Sequence, residues 1–231
     1  MFEIYLEENL QRINEKIENA LIRSGRHDKV ELIAVTKTID IDRIKEVLNL
    51  GITDIGENKV QELETKIPIL GDNVNYHMIG YLQTNKVKYI IDKIKLIHSL
   101  DRISLAEELQ KRAQSHNLNV NTLVQVNVAE EESKFGLKVK DVLPFIEEVL
   151  LYKNIKIRGL MTIAPNTEDK ELLRDIFRTM SNLKDDINSR NYNNISMDYL
   201  SMGMTNDYEI AIEEGANMIR VGTGIFGKRN Y

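Results

Sequence analysis

An alternation that repeats eight times along the chain is the feature that most limits its fold. Eight short apolar runs each precede a segment of helical period, except the last, which precedes a short tail. The runs occupy 32–36, 53–56, 76–80, 96–100, 122–128, 157–163, 197–203 and 217–222. Runs that are continuously apolar are typical of parallel strands covered on both faces. Eight such units in 231 residues favour closure, so residues 1–231 predict a single-domain (β/α)8 TIM barrel.

The first 25 residues precede this repeat and predict one additional helix. Apolar residues recur at steps of three and four from Leu6 to Leu21, and the helix should end near Gly25. We expect it to cover one end of the barrel or to pack on the outer ring. Residues 129–136, after the fifth strand, predict a long mobile loop at the barrel mouth. Residues 185–194 predict a polar surface turn.

Composition and charge exclude several classes of function. The net charge is −5 and the basic residues are scattered, which predicts no binding to nucleic acid or to anionic membranes. With no cysteine, disulfides and thiolate metal sites are excluded, and the four histidines lie too far apart for a metal motif. The absence of a signal peptide and of a long apolar run predicts a cytoplasmic protein. We expect a monomer, since no second domain demands a partner.

Polar groups follow three of the predicted strands where a TIM barrel carries its active face. The first strand ends in Lys37, and the last two run into 201–205 and 220–224. Glycines and hydroxyls after strands seven and eight form the recurrent phosphate site of such barrels. In a partly desolvated mouth a lysine amine is a nucleophile toward carbonyl carbons; alternatively, Lys37 is the first solvated residue after a buried strand. The pattern suggests a phosphorylated aldehyde or ketone, and does not separate pyridoxal 5′-phosphate (PLP) from a sugar phosphate.

Six stretches, in order along nearly the whole chain, resemble one family of known proteins. They are 35–37, 56–62, 77–86, 159–165, 201–204 and 219–223. The family is that of the PLP homeostasis proteins, which is related to the barrel domain of alanine racemase. The resemblance implies PLP as the cofactor, held as an aldimine on Lys37.

The resemblance also implies further cofactor-binding residues around that lysine. They are Asn58, His77, Met161, Ser201, Gly203, Arg220, Gly222 and Thr223. Ser201 and the backbone of Gly222 and Thr223 would bind the phosphate group. Arg220, which is always protonated, would face the pyridine nitrogen, keep that nitrogen unprotonated and weaken the ring as an electron sink.

Structural alternatives exist for several of these residues. Asn58 could cap the helix that begins there, and Arg220 could form an ion pair outside the barrel. His77 lies between apolar neighbours and is equally typical of a buried core histidine, and we expect His98 to be structural.

The chain departs from the family pattern at three places, none of them among the implied anchors. Lys59 stands where the family usually has an aromatic residue, and Phe135 replaces a small residue in the mobile loop. The pair 205–206 is Thr-Asn in place of Ser-Asp. Lys59 could therefore alter the rim of the pocket.

Three functions are compatible with these residues. The resemblance favours a PLP-binding protein with little or no catalysis, which buffers the cofactor or delivers it to PLP-dependent apoenzymes. The alternative is an amino-acid racemase. Related racemases carry a second domain that supplies a tyrosine base, whereas this chain ends at Tyr231. In a racemase of this kind His77 or a tyrosine of the barrel would have to act as the second base. A third hypothesis is a lysine aldolase acting on a phosphosugar.

Overall fold

Residues 3–227 are described by the computed structural model, in which eight parallel strands pair in chain order and close on themselves. The strands are β1 Glu31–Val35, β2 Asp54–Glu57, β3 Asn75–Met78, β4 Leu96–Leu100, β5 Val120–Gln125, β6 Ile155–Met161, β7 Ile195–Ser201 and β8 Met218–Val221. Pairing of β1 with β8, from Glu31 opposite Met218 to Ala34 opposite Val221, closes the ring. The predicted (β/α)8 barrel is confirmed.

Helices connect the strands on the outside of the ring. They are α1 Glu3–Arg23, α2 Ile41–Asn49, α3 Val60–Leu70, α4 Ile103–Ser115, α5 Val142–Val149, α6 Lys170–Ser189, α7 Tyr208–Glu213 and α8 Thr223–Phe226, with 3-10 helices at Thr84–Tyr89 and Val139–Asp141. Asp40 and Asp169 begin α2 and α6 by accepting hydrogen bonds from free backbone amides of the first turn.

Two local predictions differ from the structure. The helix predicted for 85–94 is only the 3-10 helix Thr84–Tyr89, because burying Val87, Ile90 and Ile91 needs a regular spacing but not a full α-helix. The turn predicted for 185–194 begins later, because α6 continues to Ser189 and so buries Ile187.

The predicted first helix lies on the outer ring, where α1 packs against α7, α8 and α2. Its apolar stripe is buried, as the spacing of three and four requires. Charged pairs border the contact, including Lys16 with Glu209 at 2.8 Å and Arg23 with Glu213 at 2.6 Å. The helix therefore supports the barrel wall without covering the mouth.

Two apolar regions stabilise the barrel, one between strands and helices and a smaller one inside the ring. The inner cluster consists of Ile33, Leu96, Leu123, Met161 and Met218. Other buried interior positions are polar, which is unusual for a packed core. Within residues 3–227 no helix is both long and apolar enough to span a bilayer.

Candidate functional site

Two adjoining cavities open at the carboxyl ends of the strands. Their volumes are about 230 Å³ and about 420 Å³, and they share Val35, Lys37, Met204 and Arg220 as lining residues. Lys37, two residues after the end of β1 at Val35, is half-buried. The loops after the first and the last strands therefore meet at a common mouth, on the face where barrels of this fold carry their sites.

The loops after β6, β7 and β8 form the wall of the smaller cavity. Thr205, Asn206, Gly222 and Thr223 lie on this wall together with residues 165–167. Thr205 Oγ1 accepts a hydrogen bond of 3.1 Å from the backbone amide of Gly224, which ties two of these loops together. Hydroxyls, a side-chain amide and a glycine-containing turn facing a lysine are a donor set suited to a phosphate ester.

One carboxylate also lines the smaller cavity. Asp207 accepts a 2.5 Å hydrogen bond from the backbone amide of Met204, and burial raises the pKa of Asp207. The turn after β7 is held by this contact. The rise in pKa reduces the tendency of Asp207 to carry a negative charge beside a bound anion.

A buried ion cluster holds the backbone on both sides of Lys37. Lys66, on α3, donates to the carbonyl oxygen of Thr36 at 2.7 Å and to the carboxylates of Glu57 and Glu62 at 2.6 and 2.7 Å. Glu62 in turn accepts a 2.8 Å hydrogen bond from the amide of Thr38. Thr38 has φ +63, a left-handed conformation that costs free energy outside glycine. The cluster compensates for that strain and fixes the tip of β1.

Glu57 is the most desolvated member of this cluster. Its side chain is fully buried, and one carboxylate oxygen accepts from Thr36 Oγ1 at 2.5 Å. The other oxygen has no hydrogen-bond partner among residues 3–227. Burial raises the pKa of Glu57 to about 7, even though the hydrogen bond from Lys66 opposes the rise. The carboxyl group therefore titrates near neutral pH, and its hydrogen-bond partner Thr36 is the residue before Lys37.

The loops after β2, β3 and β5 form the larger cavity. Asn58 lies on its wall, and α3 begins with Lys59 as its N-cap, so Asn58 does not cap that helix. Tyr81 and Phe135 also line the cavity and stack with ring centroids 4.2 Å apart. The loop predicted at 129–136 thus reaches the mouth and contacts the loop after β3.

Arg220 is almost fully buried in the wall shared by both cavities. Its guanidinium donates to Ser201 Oγ at 2.7 Å and to the carbonyl oxygen of Thr162 at 2.8 Å. Burial lowers the pKa of Arg220 to about 10, although the charge of Asp207 opposes this. The side chain therefore stays protonated at neutral pH and presents a fixed positive charge to the mouth; it does not form an ion pair outside the barrel.

Four of the predicted pocket residues, Ser201, His77, Met161 and Gly203, line neither cavity. Ser201 is fully buried behind Arg220, and its assignment as a phosphate ligand stays a prediction. His77 is fully buried inside the barrel, and Met161 lies in the inner apolar cluster. These residues lie behind the cavity walls and contribute to the packing around the mouth.

Gly203 shapes the loop after β7 through its backbone. It has φ +92, and a Cβ there would lie 2.7 Å from the Cβ of Ala211 and 2.8 Å from the Cα of Tyr208. Its carbonyl oxygen accepts a 3.0 Å hydrogen bond from the amide of Arg220. Only glycine fits this approach, which connects the turn after β7 to β8.

The sequence did not lead us to predict the cluster around Lys66 or the contact of His98 with Ser201, in which Nδ1 of His98 lies 3.1 Å from Ser201 Oγ. A signal for the first existed, because Glu62 and Lys66 lie four residues apart on a helix that follows Glu57. No sequence pattern indicated that His98 contacts Ser201, because β4 and β7 are not neighbouring strands.

Comparisons with known proteins agree with this geometry. The family model for the N-terminal domain of alanine racemase matches residues 7–230. A pyridoxal phosphate homeostasis protein of Aquifex aeolicus is 44% identical over 226 residues, covering 97% of this chain and 98% of the relative. The chain belongs to the pyridoxal phosphate homeostasis protein family. The resemblance seen in the sequence is confirmed.

Two kinds of solved structure are similar to this chain, PipY and alanine racemase. PipY of Synechococcus elongatus, solved with PLP bound, matches with a TM-score of 0.83 and 30% identity over 96% of this chain and 100% of PipY. Alanine racemase of Clostridium difficile matches with a TM-score of 0.75 at 14% identity, over 98% of this chain but 57% of the racemase. The second likeness shows a shared fold alone.

Proposed function

We propose that this protein binds PLP covalently through Nζ of Lys37 and acts in PLP homeostasis, as a buffer or a donor of the cofactor. The observation that carries the proposal is that Lys37 lines the same cavity as Gly222 and Thr223. An amine and an anion-binding turn across one small cavity match the aldehyde and the phosphate at the two ends of PLP. The PLP-bound structure of PipY supports the same ligand.

The residues present fit the cofactor. Thr205, Gly222 and Thr223 would hold the phosphate, and Arg220 would face the pyridine nitrogen as a hydrogen-bond donor. Condensation of the PLP aldehyde with the amine of Lys37 forms a C=N bond and releases one water molecule. The cluster around Lys66 keeps Lys37 at the cavity by holding the backbone of Thr36.

The arrangement favours a carrier over a racemase. A protonated Arg220 beside the pyridine nitrogen leaves that nitrogen without a proton and reduces the ability of the ring to accept electrons. His77, a candidate second base, is fully buried and lines neither cavity at the mouth. The relatives named for PLP homeostasis also cover nearly the whole chain. We infer delivery to PLP-dependent apoenzymes from the position of Arg220 and from these relatives.

Borohydride reduction followed by peptide mass mapping tests the proposal directly. Protein loaded with PLP should carry a reduced pyridoxyl group on the peptide that contains Lys37. Lys37→Ala should lose this adduct and keep its far-UV circular dichroism, because a half-buried lysine at the mouth contributes little packing. Lys134→Ala is the matched control, since Lys134 also lines the larger cavity and should not affect labelling.

The same preparation separates the three hypotheses. Incubation with single L-amino acids should yield no substantial D-enantiomer, and the cofactor should pass to an added PLP-dependent apoenzyme. Labelling at Lys134, or an unlabelled wild-type protein, would refute the proposed site. Formation of D-amino acid that Lys37→Ala abolishes would instead establish a racemase, and trapping of a sugar phosphate on Lys37 would establish an aldolase.

A further inference from the structure

A chain of buried polar side chains crosses the barrel interior from the mouth to the opposite end. Arg220 donates to Ser201 Oγ at 2.7 Å, which lies 3.1 Å from Nδ1 of His98. Nε2 of His98 lies 3.0 Å from Nδ1 of His77, and Nε2 of His77 lies 2.9 Å from the carboxylate of Asp54. Asp54 begins β2 at the amino end of the barrel, so five strands contribute one residue each.

The carboxylate at the far end decides which groups donate. Burial raises the pKa of Asp54, but hydrogen bonds from His77, Lys95 and two further neighbours together hold the pKa well below the ordinary range. Asp54 is therefore ionised and only accepts. Nε2 of His77 must accordingly carry a hydrogen.

The remaining hydrogens follow from the neutral state of both imidazoles. Burial lowers the pKa of His77 and, more strongly, that of His98, so each ring has one N–H at neutral pH. Nδ1 of His77 then accepts from Nε2 of His98, and Nδ1 of His98 accepts from the hydroxyl of Ser201. Ser201 accepts from Arg220. Every donor in the chain points from the mouth toward Asp54.

This arrangement matters because Arg220 is held by neutral acceptors. Both of its side-chain hydrogen bonds within the described residues go to uncharged oxygens, Ser201 Oγ and the carbonyl of Thr162. Hydrogen bonds aligned in one direction polarise one another, so the negative charge of Asp54 strengthens the acceptor that Arg220 uses. The positive charge of the guanidinium stays directed at the cavity.

We propose that His98 and His77 are positioning residues that fix Arg220 for the cofactor, through Ser201 and with Asp54 as the anchor. This inference rests on the proposed function, because Arg220 is taken to face the pyridine nitrogen. It assigns the two histidines to cofactor binding without contact with the cofactor. The chain thereby links the affinity of the mouth to a carboxylate at the opposite end of the barrel.

Variants at His98 test the chain at its centre. His98→Leu removes both links, whereas His98→Gln keeps one acceptor and one donor at a similar spacing. Ser99→Ala is the matched control, because Ser99 is buried on the same strand and its hydroxyl has no hydrogen-bond partner in the part of the chain that the structure describes. We expect His98→Leu to raise the Kd of PLP about tenfold, since it removes the two buried hydrogen bonds of His98 and the net loss of buried hydrogen bonds has roughly that size. His98→Gln and Ser99→Ala should stay near wild type.

Spectroscopy separates positioning from a purely structural role. The absorption maximum of the bound cofactor should move in His98→Leu and return in His98→Gln, because Arg220 perturbs the ring directly. A structural role alone would change thermal stability and leave the absorption maximum and the Kd as they are. Nitrogen-15 NMR of histidine-labelled protein should show both His77 and His98 with the hydrogen on Nε2.

The outcomes distinguish this inference from the proposed function. If wild-type protein does not bind PLP at Lys37, the proposed function fails, and the inference fails with it. If wild type binds PLP and His98→Leu retains both the Kd and the absorption maximum, the inference alone is overturned. Should His98→Leu not fold, Asp54→Asn decides. It removes the anchoring charge far from the cavity and should still raise the Kd; an unchanged Kd in that variant would overturn the inference.

Discussion

Replacing Glu57 with glutamine should change the way in which stability depends on pH. Glu57→Gln keeps the shape of the side chain and removes the group that titrates. Burial raises the pKa of Glu57 from 4.5 to about 7 in the folded protein. Between these two pH values the folded state therefore keeps a proton on Glu57 that the unfolded chain has already released. The stabilisation from this proton is full below pH 4.5 and is lost as the pH rises through 7.

The size of the effect follows from the shift in pKa. A rise from 4.5 to about 7 corresponds to about 3 kcal/mol, at about 1.4 kcal/mol for each pKa unit. The free energy of unfolding of wild type, minus that of Glu57→Gln, should therefore fall by about this amount between pH 4.5 and 8. In urea this is a change on the order of 1 M in the difference between the two midpoints.

Urea unfolding followed by circular dichroism at several pH values measures this difference. Taking the difference between wild type and variant removes the contribution of the groups that do not interact with Glu57. Glu62→Gln is the control, because Glu62 shares Lys66 as its partner, yet its pKa is lowered by hydrogen bonds from Lys66 and Thr38 that outweigh burial. Its stabilisation is present above pH 4.5 and is lost as the pH falls. Equal pH slopes for wild type and Glu57→Gln would refute the assignment of a titrating buried carboxyl.

Two further predictions concern the loops of the mouth. Gly203→Ala should destabilise the protein and weaken PLP binding, because a Cβ there lies 2.7 Å from Ala211. Gly51 has φ +95 but open space around it, so the control Gly51→Ala should cost only about 1 kcal/mol of stability. Thermal unfolding and PLP titration compare the two variants. Phe135→Ala should speed the release of PLP, because Phe135 stacks on Tyr81 at the larger cavity with ring centroids 4.2 Å apart. Stopped-flow transfer of PLP to an apoenzyme measures the rate of release. Leu151→Ala, at an exposed position, is the control. An unchanged release rate would contradict a role for the stack in retention.

Much of the fold followed from local pattern. The apolar runs predicted all eight strands, because parallel strands covered on both faces are mostly apolar. The same reasoning placed Lys37, Arg220, Gly222 and Thr223 at the mouth, since parallel strands end on one side of a barrel. Boundaries were less predictable; residues 85–94 carry a helical period, yet only a 3-10 helix forms.

The interior contacts could not be predicted in this way. Periodicity reports which residues are buried, but the closure of the barrel and its register decide which buried residues meet across it. Ser201 and His98 lie 103 residues apart and on strands that are not neighbours, and their contact exists only because the ring is closed.

The sequence by itself therefore determined the barrel, the lysine at the tip of its first strand and the loops opposite. Tertiary structure alone decided that Lys66 fixes the backbone beside Lys37, and that Arg220 is held through Ser201 and two histidines. The physical reason is that apolar burial is a property of each segment, whereas hydrogen bonds between buried polar groups need two segments at a fixed distance and orientation.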